Sequence, residues 1–252
     1  METFDPGRYL QFTPLPMDGY QIVVIGTGGT GGYVVRDIGR LIYALKEKKH
    51  IGLTLVDGDM VEQKNLIRQN FLEDDIGQNK AEVLAERYSA AYGITIDSVA
   101  KMIDCESLRV ILGEIQREGK IPIVVGCVDN NEARRNIRKA VEDSHYYWVD
   151  SGNEEKSGQV IMSMTNALTD IRKKIPDVID LYKEISDPAK DPKTVVSCAE
   201  RAERDIQNIF VNLTAATHVM NFLNVIINCK RTFIHGVRFN ISGASTPHYV
   251  ER

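Results

Sequence analysis

The sequence predicts an α/β chain of the Rossmann-like, doubly wound type: a mostly parallel sheet with helices on both faces and antiparallel strands near the C-terminus. Three observations predict it. A β-branched run at 21–25 enters GTGGTGG at 26–32, a strand meeting a glycine turn. Short apolar runs then alternate with segments of helical period through the first half of the chain. Residues 121–125 (IPIVV) are continuously apolar, as a strand covered on both faces must be.

The elements follow in order. After a Pro-containing leader and the strand at 21–25, Val34, Val35, Ile38, Leu41, Ile42 and Leu45 recur at helical spacing. Residues 53–56 supply a second strand, closed by Asp57-Gly58-Asp59, and Ala81, Leu84, Tyr88 and Ala91 mark one face of a later helix. A third strand is expected at 94–99, then a helix carrying Leu108, Ile111, Leu112 and Ile115, then the buried strand at 121–125. Residues 146–150 and 159–165 read as further strands. A long helix bears Ile206, Ile209, Phe210, Leu213, Met220, Leu223 and Ile227, and 233–250 suggests a hairpin turning at Ser242-Gly243. Residues 166–196 are rich in Lys, Asp and Pro without sustained period, so a flexible crossover is expected over about 166–201, inside a single domain of residues 1–252.

At 252 residues the chain can bury a self-sufficient core. With 43% apolar and 26% charged residues it has the composition of a soluble globular protein, and a formal net charge of -4 gives no general attraction to nucleic acid or to an anionic membrane. The N-terminus lacks a basic segment followed by an apolar one, and the membrane-like stretch at 219–227 is short and interrupted by Asn221 and Asn224. A cytoplasmic protein is expected. The four cysteines, Cys105, Cys127, Cys198 and Cys229, form no CxxC pair, so neither structural zinc nor disulfides are expected. His145, His218, His235 and His248 show no metal-ligand spacing.

A glycine loop between strand and helix lets a phosphate approach the backbone at a helix N-terminus, where N–H groups and the dipole favour negative charge. Gly26, Gly28 and Gly31 also satisfy the GxGxxG fingerprint, and Asp57 at the end of the next strand can hold a ribose hydroxyl in a nucleotide of either kind. A nicotinamide-dependent oxidoreductase therefore stays open at this point. The residues that discriminate are Asn65, Arg68 and Lys80, in 57–69 (DGDMVEQKNLIRQ) and 75–80 (DIGQNK): a triphosphate needs cations to neutralise it and to stabilise its leaving pyrophosphate. Their plain alternative is a solvated polar loop.

These motifs, in this order and spacing, resemble the ThiF/MoeB/HesA family of ubiquitin-activating-type adenylyltransferases. A fourth element, 124–130 (VVGCVDN) with Arg134 following, is similar to that family's magnesium-binding strand end. The likeness is strongest over about 20–165; the phrases NKAEVLAERY, SGNEEKSGQV and FIHGVRFNISGASTP are similar to ThiF-like proteins of PRTRC plasmid-type gene systems. The resemblance implies that Gly26, Gly28, Gly29 and Gly31 cradle ATP, and that Asp57, beside Asp59 and Gln69, holds the ribose. It further implies that Asn65, Arg68 and Lys80 hold the phosphates and that Asp129 holds Mg2+. Asp129 could instead cap the following helix, although Asn130 can cap while Asp129 coordinates.

The implied reaction is adenylation of the C-terminal carboxylate of a ubiquitin-like protein or peptide, with Arg68, Lys80 and Asp129 stabilising charge. Transfer to a conjugating-enzyme partner and a homodimeric assembly are implied too. Cys198 lies where thioester-forming members place their cysteine, although the Thr that often follows is Ala199 here; it is either that nucleophile or an incidental thiol. Arg8 bears a faint likeness to an N-terminal arginine that relatives insert into a partner's site. A non-catalytic nucleotide-binding scaffold is the remaining alternative, and intact Arg68, Lys80 and Asp129 argue against it.

Overall fold

The structure, a computed structural model, describes residues 4–191 and 209–252. Its strands are β1 (Gly19–Ile25), β2 (His50–Val56), β3 (Asp97–Val99), β4 (Ile121–Gly126), β5 (Tyr147–Asn153), β6 (Ser157–Met164), β7 (Ile234–Asn240) and β8 (Ser245–Tyr249). They form one sheet in the order β3-β2-β1-β4-β5-β6-β7-β8, parallel through β5 and antiparallel from β6 onward. This is the fold class read from the sequence. Between β1 and β4 the strand order reverses, so the connections from their C-terminal ends diverge and open a crevice there.

The helices are α1 (Gly29–Leu45), α2 (Lys80–Tyr92), α3 (Cys105–Arg117), α4 (Asn131–Val141), the single turn α5 (Val178–Leu181) and α6 (Ile209–Ile227). Alternation along β1 explains the two layers: Ile22 and Val24 enter the core containing residues of α1, α2 and α6, while Val23 and Ile25 enter that of α3, α4 and α5. β3 is shorter than the expected 94–99. Gly93 ends α2 in the left-handed conformation (φ +60°), and the Ile96 N–H is taken by the Ser89 hydroxyl, so the chain joins the sheet only at Asp97.

Residues 166–191, expected to lack structure, carry short helical turns pinned by buried Leu168, Ile175, Val178, Ile179 and Ile185. Arg138 pairs with Asp177 and Asp180, and Arg135 with Asp191, which ties the segment to α4. Anchors between one-turn helices leave no periodic signature, hence the featureless sequence. The rest of that predicted crossover, 192–201, lies outside the described residues.

α6 is long and apolar enough to cross a membrane by length and composition, unlike the short run read from 219–227. In the fold Val211, Ala215, Val219, Leu223 and Ile226 are buried in the core shared with α1 and β5, while Asn221 is exposed.

His235 on β7 is 1% exposed, and burial, with the charge of neighbouring His248 adding to it, pushes its pKa down to about 4. The unfolded chain takes up the proton near the ordinary value while the folded chain does not, so stability present above about pH 6.5 is lost as pH falls toward 4. At pH 5 the loss should be about 2 kcal/mol. Thermal melts from pH 7 to pH 5 should show a slope that His235→Phe reduces; an unchanged slope would assign it elsewhere.

Candidate functional site

The strand-to-helix turn after β1 is built so that backbone faces the crevice. Gly31 is enforced by close approach: an ideal Cβ there would stand 1.9 Å from the Gly26 carbonyl oxygen. α1 begins with no side-chain cap at Gly28 and no acidic residue in its first turn. Its N-terminal amides and dipole are thus left for an anion.

Asp57 leaves the end of β2 and is locked to that turn. Its Oδ2 accepts the Thr27 N–H (2.7 Å) and hydroxyl (3.0 Å), and its Oδ1 accepts the Asp59 N–H (2.9 Å). Burial pushes its carboxyl above the ordinary range, with the Thr27 N–H and the charge of Lys80 opposing that rise. Asn79 then clamps the 57–59 turn to α2. Its Nδ2 donates to the carbonyls of Asp57 (2.9 Å) and Asp59 (3.1 Å), while its Oδ1 caps α2 through Ala81 and Glu82 N–H. The clamp sets Lys80, 6% exposed, with its ammonium 2.8 Å from Asp59.

On the opposite wall β4 ends at Gly126, and the chain passes Cys127 and Val128 to Asp129. The Asn130 side chain caps α4 by accepting the Ala133 N–H at 2.8 Å, which leaves the exposed Asp129 carboxylate uncommitted to capping. Arg134, 7% exposed, organises this wall from behind. Its Nε donates to Asp150 (3.0 Å), and its Nη2 donates to the carbonyls of Val128 (2.8 Å) and Ser151 (3.2 Å), joining the ends of β4 and β5. Cys127 lies among the residues that line the crevice, and burial pushes its thiol pKa up, which disfavours the reactive thiolate.

Together these walls enclose a cavity of about 480 Å³ at the switch point. Of the residues singled out in the sequence, Gly26, Gly28, Gly29, Asp57, Asp59, Arg68, Gln69, Lys80 and Asp129 line it. Gly31 and Asn65 do not. Gly31 acts beneath the turn, and Asn65, 1% exposed, accepts the Glu62 N–H on its Oδ1 (2.9 Å), which shapes the 63–67 turn that leads into Arg68. Cys198 lies outside the described residues. Arg8 pairs with Glu251 of its own chain at 2.8 Å.

The cavity also has walls that the sequence did not point to. Gly58, Lys101, Met102, Ile103 and Val128 also line it, adding apolar surface. At the other end, Asn153 of β5 and Asn212 of α6 meet Thr30 of α1. Asn79 had a legible signal, an Asn immediately before a helical run with Glu82 in the first turn. Asn153 and Asn212 stand 59 residues apart, and no local pattern joins them.

A model of the ThiF family matches residues 17–247. The chain belongs to the ThiF family. Its curated relatives include ubiquitin-like modifier-activating enzyme 5 of Oryza sativa subsp. japonica, 28% identical over 149 residues, a match covering 54% of this chain and 32% of that one. The enzyme of the same name from Caenorhabditis elegans is 27% identical over 144 residues, covering 54% and 32%. These matches span about a third of the relatives' length. Among solved structures, PaaA superposes with a TM-score of 0.64 at 15% identity, covering 94% of this chain and 65% of that one. MccB of E. coli, in a structure with ATP, gives 0.61 at 16% identity, covering 94% and 65%. At such identities the likeness establishes the shared fold, and this ThiF-family chain's own residues must carry the chemistry.

Proposed function

We propose that this ThiF-family chain binds ATP with magnesium at the switch-point cavity and adenylates the C-terminal carboxylate of a ubiquitin-like protein or peptide. The observation that carries this reading is the convergence of the uncapped α1 N-terminus, Asp57, Arg68, Lys80 and Asp129 on one cavity. Such a set answers the needs of a triphosphate: amides and cations for the phosphates, a carboxylate for the ribose, and a second carboxylate for the cation that accompanies ATP.

The residues fit magnesium. It takes one or two carboxylates and completes its shell with phosphate oxygens and water, and Asp129 is exposed in the cavity and not consumed by capping. Asp129 would hold it, and when bound it would neutralise phosphate charge. In the proposed step an ionised carboxylate oxygen bonds to the α-phosphorus as the bond from that phosphorus to the β-phosphate bridging oxygen breaks. Pyrophosphate carries away the electron pair. The α1 amides hold the phosphates in line, while Arg68 and Lys80 stabilise charge on the departing pyrophosphate. Asp59, which lines the cavity beside it, keeps Lys80 oriented.

Onward transfer to Cys198 or to a conjugating enzyme, a homodimeric assembly and a cytoplasmic location complete the proposal. The test is exchange of labelled pyrophosphate into ATP in the presence of a candidate carrier protein, beside equilibrium binding of ATP and NAD. Carrier-dependent exchange with ATP retention is expected. NAD retention in preference to ATP would support the oxidoreductase reading, and ATP binding without exchange across plausible carriers would support a scaffold.

A further inference from the structure

At the β5 end of the cavity, away from Asp57, the buried amide of Asn212 and the half-buried amide of Asn153 form an incomplete hydrogen-bonding pair. Asn153 Nδ2 donates to Thr30 Oγ1 (2.6 Å) and to Asn212 Oδ1 (3.0 Å), and the Thr30 hydroxyl donates to Asn212 Oδ1 (3.3 Å). That leaves one donor group, Asn212 Nδ2, and one acceptor, Asn153 Oδ1, both atoms buried and, among the described residues, without a partner. Asn212 is 3% exposed and both residues line the cavity. Turning both amides together would exchange which residue owns the free donor and which the free acceptor, but would still leave one of each.

Leaving such groups unmet costs about 1–3 kcal/mol each, so the arrangement calls for a ligand bearing the complementary pair. The site lies against the reacting centre: an ideal Cβ on Gly29, the first residue of α1, would stand 2.7 Å from Asn212 Nδ2. A nucleotide anchored by its ribose at Asp57 and its phosphates at α1 leaves the β5 end of the cavity for the second substrate. A peptide unit offers one N–H donor and one C=O acceptor, the complement of what Asn153 and Asn212 leave open.

We infer that Asn153 and Asn212 bind the last peptide unit of the acceptor, so that the cavity selects a peptide α-carboxylate over a simple organic acid. The amides turn toward the cavity as that unit enters, exchanging unmet groups for hydrogen bonds, and Thr30 holds them in register. This inference rests on the adenylation reading.

Two non-reactive acyl-adenylate mimics test it by calorimetry: N-acetylglycyl-sulfamoyladenosine, and its levulinoyl counterpart, in which the peptide N–H is replaced by CH2. Wild type should bind the first about tenfold more tightly. Asn153→Ala, which removes the free acceptor, should erase that preference, and Asn212→Ala, which removes the donor to the C=O that both mimics keep, should weaken both alike; each variant retains ATP binding, which also reports that it folds. Equal wild-type affinity for the two mimics overturns the inference and leaves the adenylation reading standing, as does a preference that both variants keep. Should either variant fail to fold, the wild-type comparison and the other variant decide. Wild type that ignores ATP and both mimics overturns the adenylation reading and the inference with it.

Discussion

Replacing Asp129 by Asn is expected to lower carrier-dependent pyrophosphate exchange by about 100-fold or more while leaving the melting temperature unchanged. The two halves of this expectation come from different atoms of one loop. Asp129 is exposed, makes no ion pair among the described residues and caps nothing, so its charge is not needed to hold the fold. Its neighbour Asn130 does the structural work by accepting the Ala133 N–H at 2.8 Å. The converse variant, Asn130→Ala, should therefore cost about 1 kcal/mol of stability through the lost cap while retaining most of the exchange rate. Urea unfolding curves and exchange rates measured on both variants would separate the roles. If Asp129→Asn destabilises the protein and exchanges normally, the carboxylate belongs to the fold and the metal assignment fails.

The sheet was legible because its signals are local. The β-branched run 21–25, the glycine turn and the continuous apolar run 121–125 each carry their own periodicity, and together they specify a parallel core with a crevice at the β1/β4 reversal. The β2 end of the cavity was legible for a related reason: Asp57, Arg68 and Lys80 fall in short motifs just past β2, so chain proximity delivers them to one wall. Asn65 shows the limit of that route: it lies in the same motif but outside the cavity lining, with its Oδ1 serving the motif's own turn. The β5 end of the cavity was not legible. Thr30, Asn153 and Asn212 come from three distant elements, and only the packing of α6 against α1 and β5 brings them together.

Asp150 is the position where a single change should cost the fold most. Its side chain is 1% exposed and that of Arg134 8%, with Nε 3.0 Å from Oδ2. Burial pushes the Asp150 carboxyl upward and Arg134 pulls it back, so the pair shares one desolvated site. Asp150→Ala leaves the guanidinium buried without its counter-charge and is expected to destabilise by about 3–5 kcal/mol. Removing both charges should be far milder, because a buried pair replaced by apolar groups of similar volume is often neutral or stabilising. Arg134→Met combined with Asp150→Leu should accordingly recover most of the stability seen in urea. It should not recover ATP binding, since Arg134 also fastens the carbonyls of Val128 and Ser151, whose residues flank the cavity just past β4 and on β5. Titration of ATP with magnesium into the double variant decides the point: restored stability with weakened affinity makes Arg134 a positioning residue for the walls, whereas recovery of both confines it to the stability of the fold.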